Sequence, residues 1–126
     1  MDSVVNNNNQ TLFDKIGGLP KVESIVDTFY YLVLNTPEVA VYFEEINMKK
    51  QKMHQTNFIS FVLGSGKNYT GNNLRDAHRH LNLTEKEFYI IANLLSEALL
   101  KNNIEKDDVE KIIALVATTK NDILNA

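Results

Sequence analysis

An all-α fold is what the sequence predicts, and three observations carry the prediction. Apolar residues return every three or four positions over long stretches, as in Val22, Ile25, Val26, Phe29, Tyr30 and Val33, which gathers them on one helical face. Residues that favour helix starts stand where such stripes begin: Pro20, Asn47, and Thr84 with Glu87 three positions on. No stretch alternates apolar and polar residues for long, no hairpin turn lies between β-branched runs, and no internal repeat is found.

Taken in order, residues 1–10 are expected to be a disordered tail, polar and of low complexity from Asn6 to Asn9. The folded domain is expected over 11–126. Leu12 to Ile16 reads as a short helical turn, ended by Gly17 and Gly18, which tolerate left-handed backbone. Pro20 opens a helix to about Asn35; Thr36 and Pro37 close it and start a shorter one that ends in Tyr42 and Phe43. Asn47 caps the next helix, which runs to about Leu63. Gly64, Gly66 and Gly71 mark a loop of about eight to ten residues, followed by a segment from Asn73 to Arg79. The capping box of Thr84 and Glu87 opens a helix whose inner face is Phe88, Ile91, Ala92, Leu95 and Leu99. A last helix turns Val109, Ile112, Ile113, Val116 and Ala117 inward.

Composition narrows the function. A chain of 126 residues with 44% hydrophobic and 23% charged residues is an ordinary soluble domain, long enough for one real core. Thirteen basic against 16 acidic residues leave a net charge of −3 with no basic cluster, which speaks against nucleic acid. Cysteine is absent, so disulfides, thiolate nucleophiles and cysteine-held zinc or iron–sulfur sites are excluded. No apolar run approaches the roughly 18 residues a membrane span needs, and the N-terminus lacks a signal pattern. A cytoplasmic, unexported monomer is expected. The matches to the glycosylation pattern at Asn9, Asn68 and Asn82 are then without meaning.

One stripe is interrupted. Met48, Gln51, Gln55, Phe58, Ile59 and Val62 recur at helical spacing, so a face that should be apolar carries two glutamines. A buried amide without a partner costs about 1–3 kcal/mol, against a total stability of about 5–15 kcal/mol. Something polar should sit opposite, and Tyr30, on the stripe of the earlier helix, and His78 are the candidates. Plainer readings stand beside this one: the glutamines face a solvated groove, Tyr30 is a core tyrosine bonded to a carbonyl, and His78 is a satisfied histidine. His78 and His80 are two apart, so on a helix they point about 200° from each other and do not grip one metal together. His54 lacks a partner at metal spacing and reads as an exposed helix residue. A lone ligand histidine suggests heme rather than zinc. A phosphate loop is excluded because Phe61 stands where that motif requires glycine.

Several local motifs agree in their order and spacing: Thr11-Leu12-Phe13-Asp14-Lys15-Ile16-Gly17-Gly18, Phe29-Tyr30, Tyr42-Phe43, Asn47-Met48 with Gln51 and Gln55, and Tyr69-Thr70-Gly71 ahead of Ala77-His78. Together, over about residues 11 to 125, they resemble the truncated, two-over-two hemoglobins, specifically the first group. Departures are Gly64-Ser65-Gly66, where the family usually has a double glycine, and a glutamine at 51, where many relatives carry an apolar residue.

The resemblance implies a truncated globin fold, a two-over-two helical sandwich around heme b, with His78 as the proximal iron ligand. Tyr30, Gln51 and Gln55 would be the distal donors that stabilise bound dioxygen, and Phe43 would stack on the heme. Met48, Phe58 and Phe61 would touch the porphyrin on the distal side, and Leu74, Leu83, Phe88 and Ile91 on the proximal side; ordinary core packing is the plainer reading of all seven. Lys52, Arg75 or Arg79 would meet the propionates. The implied activity is high-affinity oxygen binding with slow release, ill suited to transport, and nitric oxide dioxygenation to nitrate with an external reductase. Oxygen storage or sensing without turnover is the alternative, and a cofactor-free helical bundle for partner binding the plainest reading.

Overall fold

The computed structural model describes residues 11–64 and 84–118, all helical or in the turns between helices. α1 (Leu12–Ile16) starts where the Thr11 hydroxyl accepts the Asp14 N–H at 3.1 Å. Gly17, at φ +123°, turns the chain straight into α2 (Gly18–Leu34), two residues ahead of the start expected at Pro20. The first-turn N–H groups of a helix have no intrahelical partner, so a proline in that turn forfeits nothing and the helix extends ahead of it.

α2 buries the six residues of its predicted stripe, Val22, Ile25, Val26, Phe29, Tyr30 and Val33, while Tyr31, off the stripe, is exposed. Thr36 and Pro37 then open α3 (Pro37–Ala40), which tightens into a 3-10 turn (Val41–Phe43) that buries Phe43. Asn47 caps α4 (Met48–Val62) by accepting the Lys50 N–H at 3.2 Å. The capping box opens α5 (Glu85–Lys101): the Thr84 hydroxyl accepts the Glu87 N–H at 3.2 Å, and the Glu87 carboxylate accepts the Thr84 N–H at 2.9 Å. α6 (Lys106–Ala117) buries Val109, Ile112 and Val116. Ile113 is only half-buried, and Ala117, expected inward, is exposed at the last position of the helix, one residue beyond the buried Val116.

α2 is the centre of the packing, with α5, α4, α1 and α3 all against it; α5 also packs on α6, and α4 touches α6. Asn102, just past α5, fastens that end to α2. Its side chain accepts from Ser24 Oγ at 2.6 Å and donates to Thr28 Oγ1 at 3.1 Å, and its carbonyl accepts from Lys21 Nζ at 3.2 Å. α1 reaches both halves of the chain. Phe13 N donates to the Leu63 carbonyl at 2.9 Å, and Lys15 Nζ meets the buried carboxylate of Asp108 on α6 at 3.0 Å. Gly64, at φ +94°, ends α4 so close to Thr11 that a Cβ there would lie 3.2 Å from that side chain. No helix of the described residues is long and apolar enough to cross a membrane. The expected tail over 1–10, the glycines beyond Gly64 and the segment from Asn73 to Arg79 lie outside the described residues.

Candidate functional site

The α2 stripe carries Tyr30 to within 1% of complete burial, and the first turn of α4 carries Gln51 to 3% exposure. They meet: Gln51 Nε2 donates to the Tyr30 hydroxyl oxygen at 3.1 Å. The interrupted stripe and the tyrosine are thus two halves of one buried contact, the partner that the cost of an unsatisfied amide demands. Because Tyr30 accepts here, its own proton is directed away from Gln51. Away from bulk water such a bond is electrostatically stronger than at a surface.

Aromatic rings hold the phenol in place. Tyr30 lies edge-on to Phe29, with centroids 4.8 Å apart and planes at 68°, and edge-on to Phe43, at 5.6 Å and 72°. Both are favourable quadrupolar arrangements. Phe43 comes from the 3-10 turn, so three elements, α2, that turn and α4, converge at Tyr30.

The other expected site residues divide into groups. Phe58 and Phe88 are buried in the same core; Met48, Gln55 and Ile91 are half-buried. Gln55, one turn after Gln51, is therefore less enclosed than a strict stripe predicts. Phe61 is 43% exposed, and Lys52 pairs with Asp27 of α2 at 3.2 Å, in a groove between α2 and α4 that also holds Leu19, Met53 and Thr56. His54, expected exposed, is half-buried. Leu74, Arg75, His78, Arg79 and Leu83 lie outside the described residues.

Two features were not anticipated. The Tyr42 hydroxyl donates to Glu87 Oε2, joining the 3-10 turn to the first turn of α5. The hydrogen bond from Tyr42, followed by those from Thr84, holds the Glu87 carboxyl below its ordinary range, and the same bond holds the Tyr42 phenol above its own. The capping-box spacing marks Glu87, yet nothing local marks its second partner 45 residues away. The other feature is Ser60, 1% exposed, whose hydroxyl has no hydrogen-bond partner among the described residues.

A tyrosine of one helix and a glutamine of another thus meet beside buried phenylalanines in a wholly helical packing, and it is the fold that defines the class of the protein. Residues 11–125 match the family described as bacterial-like globin. The chain belongs to that family and, within it, to the group 1 truncated hemoglobins. It is 36% identical over 117 residues to group 1 truncated hemoglobin LI410 of Chlamydomonas moewusii, covering 91% of this chain and 68% of the relative. Among solved structures, the 2/2 hemoglobin of Synechococcus sp. PCC 7002, in the cyanomet state with covalently attached heme, superposes with a TM-score of 0.85 at 32% identity, covering 93% of this chain and 100% of that one. The truncated hemoglobin of Tetrahymena pyriformis, Fe(III) form, gives 0.82 at 29% identity, covering 91% and 98%. Solved variants of the Tetrahymena protein replace one tyrosine and two glutamines whose spacing along that chain equals that of Tyr30, Gln51 and Gln55 here.

Proposed function

We propose that this chain binds heme b and, through it, dioxygen with high affinity, and that it converts nitric oxide to nitrate with electrons from an external reductase. The observation that carries the reading is the buried bond from Gln51 Nε2 to the Tyr30 oxygen. A polar pair in an aromatic interior fits a flat apolar group whose small ligand acquires negative charge. The equal spacing of the residues replaced in the Tetrahymena variants supports the same positions.

When bound, heme iron supplies reversible dioxygen binding and the redox step with nitric oxide. The chain supplies the rest. Tyr30 holds a proton on its hydroxyl oxygen, and Gln51, by donating to that oxygen, fixes the direction in which the proton is offered. Phe29 and Phe43 fix the ring, so little reorganisation accompanies binding. Gln55 stands one turn further along the same helix as the second donor. His78 would hold the iron and Arg75 a propionate; Phe43, Met48, Phe58, Phe61, Leu74, Leu83, Phe88 and Ile91 would pack on the macrocycle. Lys52 has an acidic partner of its own in Asp27.

A hydrogen bond to a charged group contributes about 1.5–3 kcal/mol, so a Tyr30 donor slows ligand release by about one to two orders of magnitude. The test is the visible spectrum of the purified chain with added heme, reduced and then exposed to oxygen, followed by nitrate yield per nitric oxide consumed with a reductant present. A sharp heme band that shifts to a persistent oxy form, lost in His78→Ala, and stoichiometric nitrate are expected. A stable oxy form without nitrate would leave storage or sensing; an unchanged spectrum would refute heme binding.

A further inference from the structure

We propose that Glu87 and Tyr42 are positioning residues for the ligand pocket: the carboxylate on α5 holds the 3-10 turn through the Tyr42 hydroxyl and thereby sets where the Phe43 ring stands against Tyr30. The inference rests on the pocket assigned above and adds two residues that touch none of its polar groups.

The connections are continuous. Glu87 Oε1 accepts from the Thr84 backbone N–H at 2.9 Å and from the Thr84 hydroxyl at 3.0 Å, which fixes the carboxylate in the first turn of α5. Its other oxygen, Oε2, accepts from the Tyr42 hydroxyl. Bonds in which the acceptor is ionised are shorter and about twice as strong as neutral ones. Tyr42 is the middle residue of a three-residue 3-10 turn, an element too short to hold itself. The next residue, Phe43, is 4% exposed and edge-on to Tyr30, which in turn receives the Gln51 amide. A small displacement of the turn therefore moves a ring that sets the attitude of the donor phenol. The fork of Glu87 also explains why a half-buried glutamate sits there: a cap alone uses one carboxylate oxygen, and here both are engaged.

The experiment compares Tyr42→Phe, Glu87→Gln and Glu87→Ala in the full chain. Tyr42→Phe removes only the hydroxyl. Glu87→Gln keeps an acceptor for the cap and an amide able to bond Tyr42, whereas Glu87→Ala loses both. With heme loaded and reduced, oxygen release in Tyr42→Phe is expected to quicken about threefold, and the stretching frequency of bound carbon monoxide to shift. Glu87→Ala should show both changes, and Glu87→Gln should lie near wild type. In the heme-free chain, the ring-proton chemical shifts of Phe43 and Tyr30 should move in Tyr42→Phe, a readout that stands whether or not heme binds. Absence of a heme band in wild type would refute the heme reading alone. Unchanged ring shifts, or a normal heme band with release rate and stretching frequency both unaltered, would overturn the positioning role. A loss of thermal stability with those signatures intact would do so too, since that is what a purely structural tie produces.

Discussion

Replacing Tyr30 with phenylalanine removes one oxygen from an interior where it is 1% exposed, and strands the Gln51 amide, itself 3% exposed, without the acceptor it now has at 3.1 Å. Leaving a buried donor unsatisfied costs about 1–3 kcal/mol, a factor of about five to 150 in the folded-to-unfolded ratio. Gln51→Leu removes the donor instead and replaces it with apolar volume, which costs less. In Tyr30→Phe/Gln51→Leu no polar group of the pair remains, so the double variant should be more stable than the sum of the singles by about 0.5–1.5 kcal/mol. Urea unfolding of the heme-free chain, followed by circular dichroism with a common slope, measures all four corners of the cycle. The same Tyr30→Phe variant, loaded with heme and reduced, should release oxygen at least about tenfold faster. Additivity to within about 0.3–0.5 kcal/mol would refute the coupling between Tyr30 and Gln51, and an unaltered release rate would refute the role of Tyr30 as donor.

Further outcomes follow from other parts of the molecule. Ser60→Ala removes a buried hydroxyl with no partner among the described residues and should raise the melting temperature by a few degrees, read by calorimetry. The carboxyl of Glu87 has a lower pKa folded than unfolded, chiefly through the Tyr42 hydroxyl, so its contribution to stability is present above the ordinary glutamate pKa and is lost as pH falls through the depressed folded value. Glu87→Gln should therefore flatten the acid limb of a stability-against-pH curve. Gly64→Ala places a Cβ at φ +94° and 3.2 Å from Thr11, which should cost about 1–3 kcal/mol by urea unfolding. Adding Thr11→Ser, which keeps the capping oxygen and Cβ but deletes the methyl, one of the two carbons at 3.2 Å, should restore part of the steric share and none of the backbone share.

Legibility followed the range of the interactions. Helices showed in the sequence wherever local rules suffice: the α2 stripe appears residue for residue, and Asn47, Thr84 and Glu87 cap where their spacing says they should. The cost of a buried amide pointed from Gln51 to Tyr30, and the bond is there. Contacts between distant segments left no local mark. Tyr42 reads as one half of an aromatic pair until Glu87 is brought to it by the fold. Ser60 lies about half a turn from the Gln51 face, and a single-stripe rule leaves it in water; α4, however, has neighbours in both α2 and α6. Asp108, in the first turn of α6, looks like an ordinary surface acid of a helix start, yet it is buried against Lys15. The early start of α2 was hidden for a different reason: proline marks a first turn but does not say which position of that turn it occupies.

The short helix α1 has a bearing on the order in which the molecule assembles. Five residues are far too few to hold a helix in isolation. What keeps them helical is contact with Leu63, 50 positions away by number, and with Asp108, 93 positions from Lys15. Those loops can close only after α4 and α6 have found their places, because the entropy of closing them is recovered by contacts that do not yet exist earlier. Of the described helices, the one nearest the N-terminus is thus the last to form. It acts as a clasp over a finished body, and amide hydrogen exchange in α1 should report opening well before the stripe of α2 is exposed.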